Sequence, residues 1–200
     1  LERLKQLDSA AAGYADTFNK LGLVLSEMKR FPDALDALEE ALEINPQYIE
    51  AGVNRAFALG EMGRSAEGFG VLRQMHARSP DDFNTVLPLG IFCLRHGWKE
   101  EGLALLLRAE RMRPSAPYVL AYSAAAHLEL GDDEAACERT AKARGLVEKL
   151  ALRHRGDDGK PFPDLDAYRR WENPFVRKLH MLLAQFSFET TETVAPIEGT

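Results

Sequence analysis

The chain has little cysteine and no long apolar segment. Its 200 residues include only two cysteines, Cys93 and Cys137, which are too few for the disulfide framework of a small secreted protein. Its apolar runs are short and fall far below the roughly 18–20 residues that a membrane-spanning helix needs. We therefore expect a protein that needs no oxidising compartment and lies in the cytoplasm, with the periplasm as the alternative.

Positive charge is also in short supply. The 25 Lys and Arg residues are outnumbered by 31 Asp and Glu residues, which gives a formal net charge of −6. Nucleic-acid-binding domains normally carry a basic surface that neutralises phosphates, so we expect no nucleic-acid partner. With 46% hydrophobic and 28% charged residues, the chain has the composition of an ordinary soluble protein with one or two domains.

A period of 34 residues runs through most of the chain. It is clearest in two sets of equally spaced residues, the prolines Pro46, Pro80 and Pro114 and the glycines Gly63, Gly97 and Gly131. Four consecutive windows follow from it: 15–48, 49–82, 83–116 and 117–150. The last window is the least regular, because Glu148 stands where a proline closes the others. A period of this length is the signature of a repeat architecture.

Each window has the pattern of two helices joined by a turn. In the first window, one apolar helical face is followed by a break at Lys29 and Arg30 and then by a second apolar stripe. The residues that form these two stripes are Phe18, Leu21, Gly22 and Leu25, then Ala34, Leu38 and Ala41. Pro46 ends the second helix, because proline disfavours the helical conformation at the preceding residue. Small residues recur in register at Gly22, Ala56, Gly90 and Ala124, and at Ala34, Gly68, Gly102 and Ala136. We expect close helix packing at these positions.

These residues make the chain similar to the tetratricopeptide-repeat family. The first window fits the family pattern closely through Phe18, Leu21, Gly22, Leu25, Ala34, Leu38, Ala41 and Pro46. The second window departs from the pattern at Gly52 and Arg55, and the fourth departs at Ser123, His127 and Thr140. The resemblance covers about two thirds of the chain. It implies an all-α, right-handed solenoid of helix–turn–helix repeats with a C-terminal helical cap.

The two ends of the chain lie outside the four windows. Residues 1–14 align with the second helix of a preceding, truncated repeat, or they form an N-terminal capping helix. Residues 151–189 contain a loop and amphipathic helices, the stronger of which is Phe175–Phe188. We expect that helix to cap the solenoid, with groove filling or partner docking as alternatives. Residues 190–200 have no periodicity and are typical of a flexible tail.

No constellation of residues typical of catalysis is evident. The chain has no Gly-rich phosphate loop, no Cys-x-x-Cys motif and no pair of histidines at metal-binding spacing. We expect His127 to be a hydrogen-bonded core residue, Cys93 to be buried and Cys137 to be half-buried. We therefore expect a non-enzymatic protein without catalytic residues, cofactors or metal ligands.

The resemblance instead implies a binding groove lined by the first helix of each repeat. The positions that line it in the family correspond here to residues that we call the groove residues: Asn19, Leu23, Ser26, Val53, Asn54, Phe57, Leu87, Ile91, Arg95, Tyr118 and Tyr122. Leu23, Phe57, Leu87 and Ile91 would form an apolar floor, although Leu23 and Leu94 could instead pack between repeats. Such a groove suits an amphipathic helix or an extended apolar peptide.

The carboxylate clamp of chaperone-binding family members is not reproduced. Asn54 matches the second-repeat asparagine of that clamp, but Asn19 and Leu23 stand where the first repeat supplies Lys and Asn. Asn84 and Pro88 stand where the third repeat supplies cations. We therefore expect no recognition of chaperone C-termini. Pro88 also removes one backbone hydrogen bond within a helix, so we expect a kink there.

The sequence thus predicts a scaffold or adaptor that holds a peptide or protein segment in its concave groove. One alternative is that it is the regulatory or docking module of a larger enzyme or chaperone. Another is self-assembly through the solenoid ends or the C-terminal helix. We expect no membrane partner. The acidic surplus of the first repeat, on its second helix, predicts a solvated convex face.

Overall fold

The part of the chain described by the computed structural model is entirely helical. It comprises the backbone of residues 2–153 and the side chains of residues 13–147 and 149. The helices of this part are α1 (Glu2–Glu27), α2 (Phe31–Ile44), α3 (Ile49–Glu61), α4 (Ser65–Arg78), α5 (Phe83–Arg95), α6 (Lys99–Met112), α7 (Pro117–Glu129) and α8 (Asp133–Arg153). The predicted helix Phe175–Phe188 and the predicted tail 190–200 lie outside the described residues.

The helices begin at intervals that match the sequence period. α3, α5 and α7 begin at residues 49, 83 and 117, while α2, α4, α6 and α8 begin at residues 31, 65, 99 and 133. Each interval within these two series is 34 residues. The fold is therefore the predicted all-α solenoid of helix–turn–helix repeats.

The first helix extends beyond the first window. Residues 2–27 form the single helix α1, and the assignment of residues 1–14 to a truncated repeat or an N-terminal cap stays a prediction. Ala11–Tyr14 aligns with the segment that ends α2, but it has no proline equivalent to Pro46. Gly13 alone costs about 1 kcal/mol of helix stability relative to alanine. That cost is too small to end the helix.

The contacts between helices define an inner and an outer layer. The largest contacts join α1 to α2, α3 to α4, α5 to α6 and α7 to α8, and smaller ones join each pair to the next. The first helices also contact one another, α1 with α3, α3 with α5 and α5 with α7, whereas second helices make no contacts of similar extent within the described part. The first helices therefore lie on the inner, concave side.

Close helix packing explains the recurring glycines. A Cβ atom on Gly22 would lie 2.5 Å from Leu38 Cγ, and one on Gly68 would lie 2.5 Å from the Ala56 carbonyl oxygen. A Cβ on Gly102 would lie 2.9 Å from the Leu94 backbone nitrogen. All three distances are too short for a side chain, so these positions let paired helices approach each other.

The hydrophobic core is divided along the solenoid. One cluster joins α2 to α3 through Leu38 and Leu59, and another surrounds Phe92 in α5. A third cluster joins α5, α6 and α7, and a fourth joins α7 to α8. Each cluster includes residues of two or three consecutive helices, so each repeat is stabilised by its neighbours.

Two further sequence expectations can be compared with the fold. Cys93 is buried as predicted, but Cys137 is exposed, so the prediction that it is half-buried is wrong. The reason is the helical period, because the adjacent Ala136 occupies the buried position and the next residue turns away from it. α5 continues through Pro88 as one helix, and the kink expected there stays a prediction.

Candidate functional site

Five of the groove residues line one cavity on the inner side of the first two repeats. This space of about 330 Å³, which we call the groove cavity, is bounded by α1, α3 and the C-terminal end of α5. The groove residues that line it are Leu23, Ser26, Asn54, Phe57 and Arg95. Glu27, Lys29, Phe31, Ala58 and Glu61 complete its lining.

Exposure of the apolar floor decreases along the solenoid. Leu23, Phe57, Ile91 and Ala125 occupy the same position in successive repeats. Leu23 is 44% exposed and Ala125 only 4%, with Phe57 and Ile91 between them. The N-terminal half of the inner surface therefore offers the most apolar area to a ligand.

A chain of hydrogen bonds connects α1 to α3 beside this cavity. The Asn54 side-chain amide donates to Asn19 Oδ1 at 2.9 Å, and the Asn19 amide donates to the Tyr48 hydroxyl at 3.3 Å. The Tyr48 hydroxyl in turn donates to Asp16 Oδ1 at 3.2 Å. Asn19 is buried, so it stabilises the junction of the first two repeats and presents little surface to a ligand.

Charged groups of this network are held in fixed protonation states. Lys20 Nζ lies 2.7 Å from Asp16 Oδ2, and this hydrogen bond lowers the pKa of Asp16. Burial raises the pKa of Tyr48 and so further favours the protonated hydroxyl that donates to Asp16. The wall of the groove next to the cavity is thus polar and ordered.

Arg95 connects the second and third repeats across the groove. Its guanidinium forms an ion pair with Glu61, the residue at the same position one repeat earlier. It also lies 5.6 Å from the centroid of the Phe57 ring, within the range of a cation–π contact. Arg95 therefore fixes one edge of the groove cavity and orients the aromatic ring in its floor.

The other groove residues lie farther along the solenoid or deeper in the fold. Leu87 is only 9% exposed and belongs to the core cluster of α5, α6 and α7. Ile91, Tyr118 and Tyr122 pack against that cluster as partly buried residues, and burial raises the pKa of Tyr122. Val53 packs in the same way against the cluster around Phe92. The structure thus separates the groove residues into an open N-terminal set and a more buried set.

Sequence reasoning missed several residues of the groove cavity. Lys29 comes from the turn between α1 and α2, Phe31 is the first residue of α2, and both lie outside the first-helix positions that the family pattern marks. The available signal was Lys29 itself, which occupies the position of the turn glycines Gly63 and Gly97 in later repeats.

Two residues that were candidates for a reactive role, His127 and Cys93, are buried in the fold. His127 is buried, and its Nδ1 lies 3.0 Å from Asp132 Oδ2, as expected for a hydrogen-bonded core histidine. Burial raises the pKa of Cys93 to about 12, which leaves the thiol protonated and unreactive at neutral pH. Within residues 13–147, no cluster of three or more His, Cys, Asp or Glu side chains is arranged to hold a metal ion. Within the described helices, none is both long and apolar enough to span a membrane.

Comparison with known proteins supports the repeat assignment. The tetratricopeptide-repeat family model matches residues 15–48. PilF of Pseudomonas aeruginosa is similar in structure with a TM-score of 0.62 and 20% identity, over 90% of this chain and 79% of that chain. Comparison with curated proteins gives no match.

Two other solved structures share the fold. MamA of Desulfovibrio magneticus RS-1 has a TM-score of 0.55 and 17% identity, over 68% of this chain and 76% of that chain. YrrB, described as a tetratricopeptide-repeat protein with an unusual peptide-binding site, has a TM-score of 0.52 and 17% identity, over 73% of this chain and 80% of that chain. At these identities the likeness concerns the fold alone. The family model matches the first window, and the 34-residue helix period and these structures show that the described part of the chain has the fold of a tetratricopeptide-like helical-repeat solenoid.

Proposed function

We propose that this protein is a non-enzymatic scaffold that binds a peptide or protein segment through the groove cavity. The observation that carries the proposal is the exposed Leu23 side chain beside Phe57 in a cavity with a charged rim. An apolar anchor inside a polar rim is the usual anatomy of a protein-binding site. YrrB, which has the same fold, is described as having a peptide-binding site.

The chemistry of the cavity favours an apolar side chain as the anchor of the ligand. Leu23, Phe57 and Ala58 supply the apolar surface, whereas Glu27, Glu61 and Arg95 stand at the rim. Arg95 and Glu61 already neutralise each other, so the site has no strong preference for a charged anchor. An amphipathic helix that inserts a Leu- or Phe-sized residue fits this arrangement.

Selection of displayed peptides tests the proposal directly. A library of random 15-residue peptides is selected on the immobilised protein, and the affinities of enriched peptides are measured by fluorescence anisotropy. We expect enriched sequences to carry apolar residues at helical spacing and the Phe57→Ala variant to bind them at least about tenfold more weakly.

The control is Met112→Ala, which removes an exposed apolar side chain at the end of α6, outside the groove cavity. It should bind the selected peptides like the unchanged protein. The proposal would be wrong if Phe57→Ala, with its helical circular-dichroism signal intact, bound the peptides with unchanged affinity.

A second candidate function is self-assembly, and one surface of α1 favours it. Tyr14, Leu21, Val24 and Met28 form a stripe on this helix, which we call the α1 stripe; Tyr14 is 65% and Val24 52% exposed. The residues equivalent to Val24 in later repeats, Ala58, Phe92 and Ala126, are buried. An apolar stripe of this kind can pair with a second copy of the chain.

Light scattering coupled to size-exclusion chromatography tests self-assembly. We expect a dimer whose fraction rises with protein concentration and falls in the Val24→Asp variant. A monomer at every concentration up to the millimolar range would exclude self-assembly and would leave the groove proposal intact.

A further inference from the structure

A second, larger cleft lies outside the groove. It has a volume of about 580 Å³ and is bounded by α2, α3, α4 and the first turn of α5. None of the eleven groove residues lines it. Its volume falls in the range of small-molecule sites, roughly 300–1,000 Å³. We call it the second-repeat cleft.

The cleft arises where the second repeat departs from the family pattern. Gly52 stands at the position that Phe18, Val86 and Leu120 occupy in the other repeats. Val86 and Leu120 are fully buried core residues. Met75 Sδ occupies part of the space that a side chain at this position would fill, since a Cβ on Gly52 would lie 2.7 Å from it. The remaining space is the cleft.

The other departure of the same repeat lines the same cleft. Arg55 stands at the position of Leu21 and Leu89, so a cation replaces an aliphatic side chain at the cleft wall. Its guanidinium lies 3.1 Å from Glu39 Oε1 and is only partly exposed. The absence of a side chain at Gly52 therefore leaves the space open, and Arg55 places positive charge beside it.

The lining combines apolar walls with two guanidinium groups. Leu42, Ile49, Val71 and Met75 are half-buried apolar residues of the cleft. Arg78 is the second cation of the lining, and it forms no ion pair with any residue that the structure describes. No Asp or Glu is among the lining residues. The cleft thus offers apolar contact and an available cation in Arg78, and the neighbouring Glu39 carboxylate is paired with Arg55.

We propose that the second-repeat cleft binds a small amphiphilic monocarboxylate, with its apolar chain against Val71 and Met75 and its carboxylate at Arg78. The guanidinium of Arg78 can donate two hydrogen bonds to a carboxylate, the pairing that arginine favours. An apolar chain in the space left by Gly52 would replace the contacts that a core side chain makes in the other repeats. A neutral amphiphile would gain only the apolar contacts and not the pairing with Arg78.

Titration with octanoate, below its micelle-forming concentration, tests the proposal. The probe is followed by the amide resonances of the 15N-labelled protein, with 1-octanol as the neutral analogue of equal chain length. We expect saturable shifts centred on Gly52, Val71 and Met75, and weaker binding of octanol. Shifts centred on Leu23 and Phe57, absence of saturation, or equal affinity for octanol would each overturn the proposal.

Two variants measure what the charge of Arg78 contributes to binding, separately from the apolar contacts. Arg78→Gln should weaken octanoate binding by at least about tenfold, because the charge-assisted pairing with the carboxylate is lost, and leave octanol binding unchanged. Arg144→Gln, an exposed cation of α8 remote from the cleft lining, is the matched control and should change neither. Unchanged octanoate binding in Arg78→Gln would contradict the proposal.

Gly52→Leu restores a core side chain at the cleft and should abolish binding of both probes. Met75 must shift to accommodate the new side chain, and the atoms of Met75 that lie nearest to its Cβ are the flexible Sδ and Cε. Retained octanoate binding in a folded Gly52→Leu variant would overturn the proposal. If this variant does not fold, the Arg78→Gln comparison decides by itself, because Arg78 is an exposed side chain.

Discussion

Lys29 has the left-handed backbone conformation that Gly63 has at the same position of the next repeat. Its φ angle is +60°, and those of Gly63, Gly97 and Gly131 lie between +79° and +92°. All four residues end the first helix of a repeat, where a left-handed residue closes the turn. The first repeat thus makes the same turn with a residue that is strained in it.

Lys29→Gly should therefore raise the free energy of unfolding. The left-handed conformation costs a non-glycine residue about 1–2 kcal/mol, and the greater freedom of glycine in the unfolded chain returns part of that gain. We expect a net stabilisation of about 0.5–1 kcal/mol, measured by urea denaturation followed by circular dichroism. Lys29→Ala removes the same side chain without relieving the strain and should bring no stabilisation. A Gly variant no more stable than the Ala variant would refute this explanation of the turn.

Two glycines of α4 should respond in opposite ways to substitution by alanine. A Cβ on Gly68 would lie 2.5 Å from the Ala56 carbonyl oxygen and 2.7 Å from Phe92 Cζ, whereas a Cβ on Gly70 would contact nothing within 4 Å. Gly68→Ala should destabilise the protein by about 1–3 kcal/mol through overpacking. Gly70→Ala should stabilise it by about 0.5–1 kcal/mol through helix propensity. The difference between their thermal midpoints checks the prediction, and equal midpoints would contradict the close approach of α3 and α4.

The two cysteines should differ strongly in reactivity. Cys93 is buried with a pKa of about 12, and Cys137 is exposed. Native protein at pH 8 should therefore react rapidly with one equivalent of a thiol reagent per chain, and denatured protein with two. Mass spectrometry of the native product should find the label on Cys137. Rapid labelling of Cys93 in the native protein would show that the core around Phe92 opens easily.

Stability at alkaline pH should depend on Tyr122. Burial raises its pKa above the ordinary value of 10.0, so the folded state favours the protonated phenol. The stabilisation is complete below about pH 10, because the phenol is then protonated in both states. It is lost as the pH rises further, because the unfolded chain releases its proton first.

The free energy of unfolding of the unchanged protein should accordingly fall more steeply above about pH 10 than that of Tyr122→Phe. Tyr48 and Cys93 act in the same direction in both proteins, so the difference isolates Tyr122. Parallel pH profiles for the two proteins would show that the phenol is not held in its protonated form.

The sequence was sufficient to predict the helical repeats, because their period depends on local rules. The positive φ of Gly63, Gly97 and Gly131 and the close packing at Gly22 and Gly68 follow from residue types that few other positions tolerate. The groove residues Leu23, Ser26, Asn54, Phe57 and Arg95 share a cavity because the first helices stack in register. Peptide binding by these residues stays a prediction.

Three features could not be predicted from residue types alone: the left-handed turn at Lys29, the length of α1 and the second-repeat cleft. The residue type of Lys29 does not mark it as left-handed, since lysine is compatible with ordinary helix, and only its register with Gly63 and Gly97 points to the turn. The continuity of α1 depends on the absence of a proline near Gly13, which is weak evidence by itself. Gly52 and Arg55 were visible as departures from the repeat pattern, but their convergence on one cleft depends on how α2 and α4 pack against α3. Only the fold shows that packing.

The division of the core has a consequence for how the molecule opens. Because each cluster is shared by consecutive helices, unfolding of one repeat removes contacts from the next and should propagate outward from the weakest junction. The smallest contact between consecutive helices of the described part is that of α4 with α5, so amide hydrogens at this junction should exchange with solvent sooner than those between α1 and α2. The groove cavity crosses the boundary of the same two repeats through Glu61 and Arg95. A segment bound there would therefore hold the second and third repeats together at the place where the solenoid opens first.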